Sequence, residues 1–218
     1  MSSPSLTLVE APPAAPSHEW YEAARKARLL SWVSLGWMGA EGAIGIAAGV
    51  VAGSIALVSF GLDSAIEGFA SVIVVWRLTG SRLLSEQAEQ RAQKLVAVAF
   101  FLLAPYVAIE ALVKLGTNEQ PQTSWLGIVL VATSAIGMPF LGIAKRRLGN
   151  ELGSAATRGE GTQNMLCAYL AAAILVGLLG TALFGLRWLD PAAALVVAGV
   201  AAKEWRASWR GEGCCAAC

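Results

Sequence analysis

Two acidic side chains stand four residues apart in the second apolar stretch of the chain, in the sequence GLDSAIEG. In a helix, this spacing places Asp63 and Glu67 on the same face. A charged group near the centre of a bilayer costs about 2.5–3.5 kcal/mol, so an acid within a membrane span predicts a function. Two carboxylates this close repel each other unless a cation or a proton lies between them. The pair therefore predicts a cation site.

The fifth apolar stretch, EGTQNMLCAY, carries a second polar line. Gln163 and Cys167 repeat the spacing of four, Glu160 lies one turn earlier, and Asn164 flanks them. If helices 2 and 5 face each other, Gln163 and Cys167 complete a four-ligand set with the acid pair. Oxygen and sulfur donors in a tetrahedral set suit zinc. The alternative is that these groups join helices by hydrogen bonds, an interpretation that suits Gln163 or Cys167 alone better than it suits the acid pair.

Two further acids lie within predicted spans. Glu110 is expected near the outer boundary, where water or Lys114 four residues later can reach it. Glu41 is either a proton or entry-path group or a structurally paired acid. His18 is the only histidine and lies in the N-terminal tail, so an imidazole ligand in the membrane site is excluded.

Three cysteines, Cys214, Cys215 and Cys218, stand at the extreme C-terminus. Their thiols are close enough in sequence to share a soft metal ion. Palmitoylation, or no role at all, competes with that interpretation. Disulfide bonds are not expected if this end of the chain faces the reducing cytosol.

Composition identifies the elements that must position these groups. Hydrophobic residues make up 56% of the chain and charged residues 14%, whereas soluble domains carry about 25% charged residues. The mean hydropathy is +0.59, and the net charge of +1 gives no reason to expect a nucleic-acid partner. Six apolar stretches approach the roughly 20 residues that span a bilayer. They predict an all-α bundle of six transmembrane helices over residues 30–53, 55–77, 95–115, 125–144, 155–184 and 190–205.

The basic residues predict the orientation of this bundle. Fourteen fall on the side of both termini and two on the other, so both termini are expected in the cytoplasm. The predicted domains are a disordered cytoplasmic tail (1–28), the membrane domain (29–206) and a cytoplasmic tail with cysteines (207–218). The fourteen are Arg25, Lys26, Arg28, Arg77, Arg82, Arg91, Lys94, Lys145, Arg146, Arg147, Arg158, Lys203, Arg206 and Arg210; the two are Lys114 and Arg187.

From about Trp32 to Trp205, the chain resembles the cation diffusion facilitator (cation efflux) family, in particular its divergent branch that consists of the membrane domain only. That family has six membrane helices and a tetrahedral metal site made by an acid pair on helix 2 and a His/Asp or Asp/Asp pair on helix 5. Here Glu67 stands where the second Asp is usual, and Gln163 and Cys167 replace the helix 5 pair. The family's cytoplasmic metal-binding domain has no counterpart in this sequence.

The resemblance implies a multi-pass protein of the cell membrane that exports a divalent metal, most readily zinc, in exchange for protons. The metal is then the transported substrate, and no tightly bound cofactor is expected. No enzyme chemistry is predicted, because the sequence lacks a membrane-facing Ser/His/Asp set and a phosphate-binding loop. Any homodimer would form through the membrane helices. The rival prediction is a non-transporting scaffold or accessory subunit built on a degenerate cation-efflux fold, which the replaced helix 5 pair favours and the retained acid pair opposes.

Overall fold

The computed structural model describes residues 16–52, 55–117, 125–184 and 189–210. All regular secondary structure in these ranges is helical, which confirms the predicted all-α class. A short 3-10 helix, Gly80–Leu84, lies between the second and third α-helices. Within the described ranges, the six α-helices are α1 (His18–Ala52), α2 (Ile55–Arg77), α3 (Glu86–Thr117), α4 (Trp125–Glu151), α5 (Ala155–Phe184) and α6 (Leu189–Arg210).

The helix boundaries differ from the apolar stretches in one consistent way. Helices α2 and α5 have the predicted bounds, but α1, α3, α4 and α6 extend beyond theirs into polar sequence. The segment from His18 to Arg28, predicted as disordered tail, is helical and buries Ala23, Ala24 and Ala27. Hydropathy marks only the length that fits hydrocarbon, and a helix continues past that length where small side chains still find packing partners. Residues 1–15 and 211–218 lie outside the described residues.

The distribution of polar and apolar side chains is that of a membrane protein. Among the described residues, three helical segments are long and apolar enough to cross a bilayer: His18–Ala48, Glu86–Val113 and Val129–Glu151. Large apolar side chains such as Ile136 and Phe140 are exposed on the outside of the bundle. Several carboxylates, hydroxyls and amides are instead fully buried. This is the arrangement expected when the surrounding solvent is lipid.

Close helix contacts hold the two pairs of helices that carry most of the buried polar groups. Helix α1 packs on α2 and α4 packs on α5. A Cβ atom on Gly61 would lie 2.8 Å from the backbone oxygen of Gly42, and one on Gly161 would lie 2.8 Å from the backbone oxygen of Gly142. Small residues permit such close backbone approach. Each close approach falls two residues before a predicted ligand, at Gly61 before Asp63 and at Gly161 before Gln163.

Candidate metal centre

Helices α2 and α5 bring three predicted ligands together. One ligand atom from each of Asp63, Glu67 and Cys167 lies within 4.8 Å of the other two. All three side chains are buried, and Cys167 is a free cysteine. The predicted proximity of the α2 acid pair to the Cys167 sulfur is therefore confirmed. That these groups bind a metal remains a prediction.

Five polar atoms of the predicted ligand set have no hydrogen-bond partner among the described residues. They are Oδ1 of Asp63, both carboxylate oxygens of Glu67, and both amide atoms of Gln163. The Gln163 side chain is buried and lies one helical turn before Cys167. A buried polar group without a partner costs about 1–3 kcal/mol. The partnerless carboxylate oxygens of Asp63 and Glu67, which lie together beside Cys167, are suited to a ligand that supplies the missing interactions.

The polar line on α2 continues past the acid pair. Ser71 lies one turn after Glu67 and is fully buried, and its hydroxyl oxygen also lacks a partner within the described part of the chain. Ser59, one turn before Asp63, belongs to α2, but its side chain lies outside the part that the structure describes. The stripe predicted from the spacing of four is therefore found from Asp63 to Ser71.

The early start of α5 sets the depth of Cys167. Asp63 lies fourteen residues before the end of α2 at Arg77, and Cys167 lies twelve residues after the start of α5 at Ala155. At about 1.5 Å per residue, these distances are about 21 Å and about 18 Å. The two ligands lie at similar depths because α5 begins as early as Ala155. Ser154 caps this start, since its hydroxyl oxygen accepts the Thr157 backbone N–H at 3.1 Å.

A buried ion pair links the C-terminal end of α2 to the N-terminal end of α5. Arg77 Nε donates to Glu89 Oε2 at 2.8 Å. Glu89 Oε1 accepts hydrogen bonds from the backbone N–H of Ala156 and from the hydroxyl of Ser154, each at 3.0 Å. A carboxylate at a helix N-terminus is favourable because the first N–H groups of a helix have no partner within it. Glu89 thus connects the end of α2 to the start of α5, the two helices that carry the ligands. Sequence reasoning did not single it out.

Glu160 and Asn164, the polar residues that accompany the predicted ligands on α5, are not part of the cluster. Glu160 accepts a hydrogen bond from Lys145 Nζ at 2.6 Å and one from the Ser31 hydroxyl at 2.7 Å. Asn164 Oδ1 accepts from Lys145 Nζ at 2.9 Å. Lys145, which directly follows the predicted span 125–144 and was counted with the cytoplasmic basic residues, lies within α4 and is fully buried. Both side chains therefore accept hydrogen bonds from Lys145.

The remaining predicted polar residues are not members of the three-residue cluster. Glu41 on α1 is buried and accepts hydrogen bonds from the hydroxyls of Ser134 on α4 and Ser64 on α2. Of its two predicted roles, the contacts match structural pairing. Glu110 is half-buried, and His18 is exposed at the start of α1. The C-terminal cysteines, Cys214, Cys215 and Cys218, lie outside the described residues.

The sequence model of the cation efflux transmembrane domain matches residues 31–210. Because this match covers most of the chain, the chain belongs to the cation efflux family. This is a family of transporters of metal cations, not of enzymes. The chain is accordingly a multi-pass membrane protein, in agreement with the apolar helices described above.

Proposed function

We propose that this protein exports a divalent metal ion, with zinc as its preferred substrate, from the cytoplasm in exchange for protons. The observation that carries the proposal is the convergence of Asp63, Glu67 and Cys167 within 4.8 Å in the interior of the bundle. Gln163 is the fourth ligand of this proposed site, through its amide oxygen. Family membership supports metal cation transport, and the ligand chemistry supports the finer statement.

The charges of the site suit a divalent ion. Two carboxylates and a thiolate supply up to three negative charges, and a neutral amide adds none. In a low-dielectric interior, such groups are stable only when cations or protons neutralise them. A divalent ion with one proton, or protons alone, meets this requirement.

The same groups provide a reason for proton exchange. Cysteine and carboxylate ligands bind metal in their deprotonated forms, so metal binding releases protons and protonation releases metal. If the site is exposed alternately to the two sides of the membrane, this competition couples metal flow to an opposite flow of protons.

The ligand types favour zinc over harder ions. Zinc accepts both carboxylate oxygen and thiolate sulfur in a tetrahedral arrangement. Magnesium and manganese prefer sites composed of oxygen only. The Cys167 sulfur therefore favours zinc and cadmium among the ions available to the protein.

The proposal is tested in everted membrane vesicles that contain the full chain and a pH-sensitive dye. Uptake is compared for zinc, cadmium, iron and manganese, against vesicles without the protein. We expect zinc-dependent uptake accompanied by proton release from the vesicle interior. Zinc uptake no faster than in the control vesicles would contradict the proposal and favour the scaffold interpretation. Uptake without proton movement would contradict the exchange alone.

A further inference from the structure

A buried lysine joins α1, α4 and α5 in a cage of oxygen atoms. The Lys145 side chain is fully buried. Its ammonium donates to Ser34 Oγ at 2.5 Å, Glu160 Oε1 at 2.6 Å and Asn164 Oδ1 at 2.9 Å. An ammonium group has three N–H donors, and here three oxygens accept from it. The structure thus shows a cation enclosed by oxygen ligands from α1 and α5.

Further hydrogen bonds hold two of the cage ligands in place. The Ser31 hydroxyl donates to Glu160 Oε2 at 2.7 Å, and Asn164 Nδ2 donates to Met138 Sδ at 3.7 Å. These contacts orient Glu160 and Asn164 without the participation of Lys145. A carboxylate, an amide oxygen and a hydroxyl are ligands that hard cations accept. The cage therefore has the donor set of a metal site, with an ammonium in the place of the metal.

Adhesion between helices is the simpler explanation for such an ion pair. A buried ion pair contributes little to stability, however, because replacing it by apolar side chains is often neutral or stabilising. A buried ionisable group in a membrane protein more often marks an ion path.

The position of the cage relates it to the candidate metal centre. Glu160, Gln163, Asn164 and Cys167 form one stripe along α5, and Asn164 is the neighbour of the ligand Gln163. Glu160 precedes Cys167 by seven residues, which corresponds to about 10 Å along the helix. The cage therefore lies between the candidate centre and the end of the bundle where α4 turns into α5.

We propose that Ser34, Glu160 and Asn164 form a second cation site on the path between the α4–α5 end of the bundle and the metal centre, filled by the Lys145 ammonium in the conformation described. This inference rests on the proposed function, because a path for metal ions presupposes that the protein transports them. The tethered ammonium closes the path by occupying the site. A metal ion passes when Lys145 leaves the cage and the same oxygens receive the ion.

The cation site is tested by emptying the cage in a protein whose main centre is disabled. In the full chain carrying Asp63→Asn, Lys145→Ala removes the ammonium and leaves the oxygens. We expect this variant to bind a further Mn²⁺ ion per chain, measured by electron paramagnetic resonance in detergent. Adding Glu160→Gln should abolish the gain. Arg147→Ala is the matched control, because it removes an exposed basic residue of the same helix, and it should gain none. A folded Lys145→Ala chain without additional Mn²⁺ would overturn the cation site.

The role in transport is tested by a variant designed to stay folded even if Lys145→Ala does not. Lys145→Met combined with Glu160→Met replaces the ion pair by apolar side chains and closes the path to ions, since apolar constrictions exclude hydrated ions. We expect zinc uptake to fall to that of vesicles without the protein. The Cys167-to-cobalt absorption band, which reports binding at the main centre, should remain. Uptake at the wild-type rate would show that the pair only joins helices. A wild-type chain that gives no cobalt band would refute the proposed function, whereas the Mn²⁺ result would still decide the cation site.

Discussion

The carboxylates of Asp63 and Glu67 have opposite consequences for folding and for metal binding. They are buried, lie close to each other and to a thiol, and include three oxygen atoms without hydrogen-bond partners. Each such atom opposes folding, because no well-formed hydrogen bond within the described ranges replaces its lost hydration. A protein that retains these groups at a cost in stability requires a compensating role, and binding of a cation provides one.

Asp63→Asn separates these two consequences. The amide has nearly the shape of the carboxylate but cannot balance the charge of a divalent ion, so we expect zinc uptake in everted vesicles to be abolished. The thermal unfolding temperature in detergent, without added metal, should be equal to or above that of the wild type, because a buried charge is removed. Glu151→Gln is the matched control: this acid is exposed and paired with Arg147, so the variant should retain uptake. Undiminished zinc uptake by Asp63→Asn would mean that the α2 pair is structural.

Cys167→Asp tests the contribution of sulfur to metal selectivity. The substitution replaces a soft donor by a hard one while retaining a ligand that can carry a negative charge. We expect transport to be retained, with the ratio of zinc to manganese uptake lowered, because thiolate favours zinc and oxygen ligands favour manganese. The measurement is competitive uptake of the two ions. An unchanged ratio would indicate that Cys167 does not touch the transported ion.

At the scale of helices, the site depends on contacts that lie far from it. Asp63 and Cys167 meet because α2 and α5 are fixed to each other at one end through Arg77 and Glu89, and because close glycine contacts hold each of them to its neighbour. The depth of a ligand changes by about 1.5 Å for each residue of helix shift. A shift of either helix along its axis therefore moves the ligands apart.

Glu89→Gln is expected to weaken the connection between α2 and α5. It leaves the buried Arg77 without its counter-charge, which costs about 3–5 kcal/mol when no other partner remains. Arg77 keeps two backbone carbonyl acceptors, those of Arg82 and Leu83, so we expect a loss near the lower end, about 3 kcal/mol. The measurement is denaturant unfolding in detergent.

The control for Glu89→Gln is Glu151→Gln, which breaks the exposed Arg147–Glu151 pair. Exposed ion pairs contribute about 0–1 kcal/mol, so this variant should unfold almost as the wild type does. Equal losses in the two variants would contradict a special role for Glu89.

Gly161→Ala should disturb the contact between α4 and α5. The new Cβ would lie 2.8 Å from the backbone oxygen of Gly142 and the backbone nitrogen of Arg146, and backbone atoms in a packed contact have little freedom to move. We expect a lower unfolding temperature and weaker cobalt binding at the main centre. Gly199→Ala on α6 meets nothing within 4 Å and should leave both unchanged. Normal cobalt binding by Gly161→Ala would show that α4 and α5 can separate without affecting the ligands.

At the scale of the whole molecule, local patterns were sufficient for part of the structure. Apolar length predicted six helices, and the spacing of four predicted that Asp63 and Glu67 share a face. The burial of Lys145 could not be predicted in this way, because a basic residue that follows an apolar stretch is the usual sign of a loop. Oxygen atoms of α1 and α5 stabilise its charge in the interior, and such tertiary contacts leave no local pattern in the sequence. The helical segment from His18 to Arg28 was missed for a similar reason, since its support is tertiary packing of small residues.

The orientation of the molecule is the prediction on which the export direction depends. Fourteen basic residues lie on the predicted cytoplasmic side and two on the other. Lys145 and Arg77 are buried, so they do not face a membrane surface; without them, twelve remain against two. The asymmetry still predicts that both termini are inside. We expect a reporter fused after Arg210 to be cytoplasmic and one inserted near Gln120 to be external, as judged by impermeant labelling of intact cells. The opposite labelling would place the cage on the external side. The same site would then support import of the metal ion.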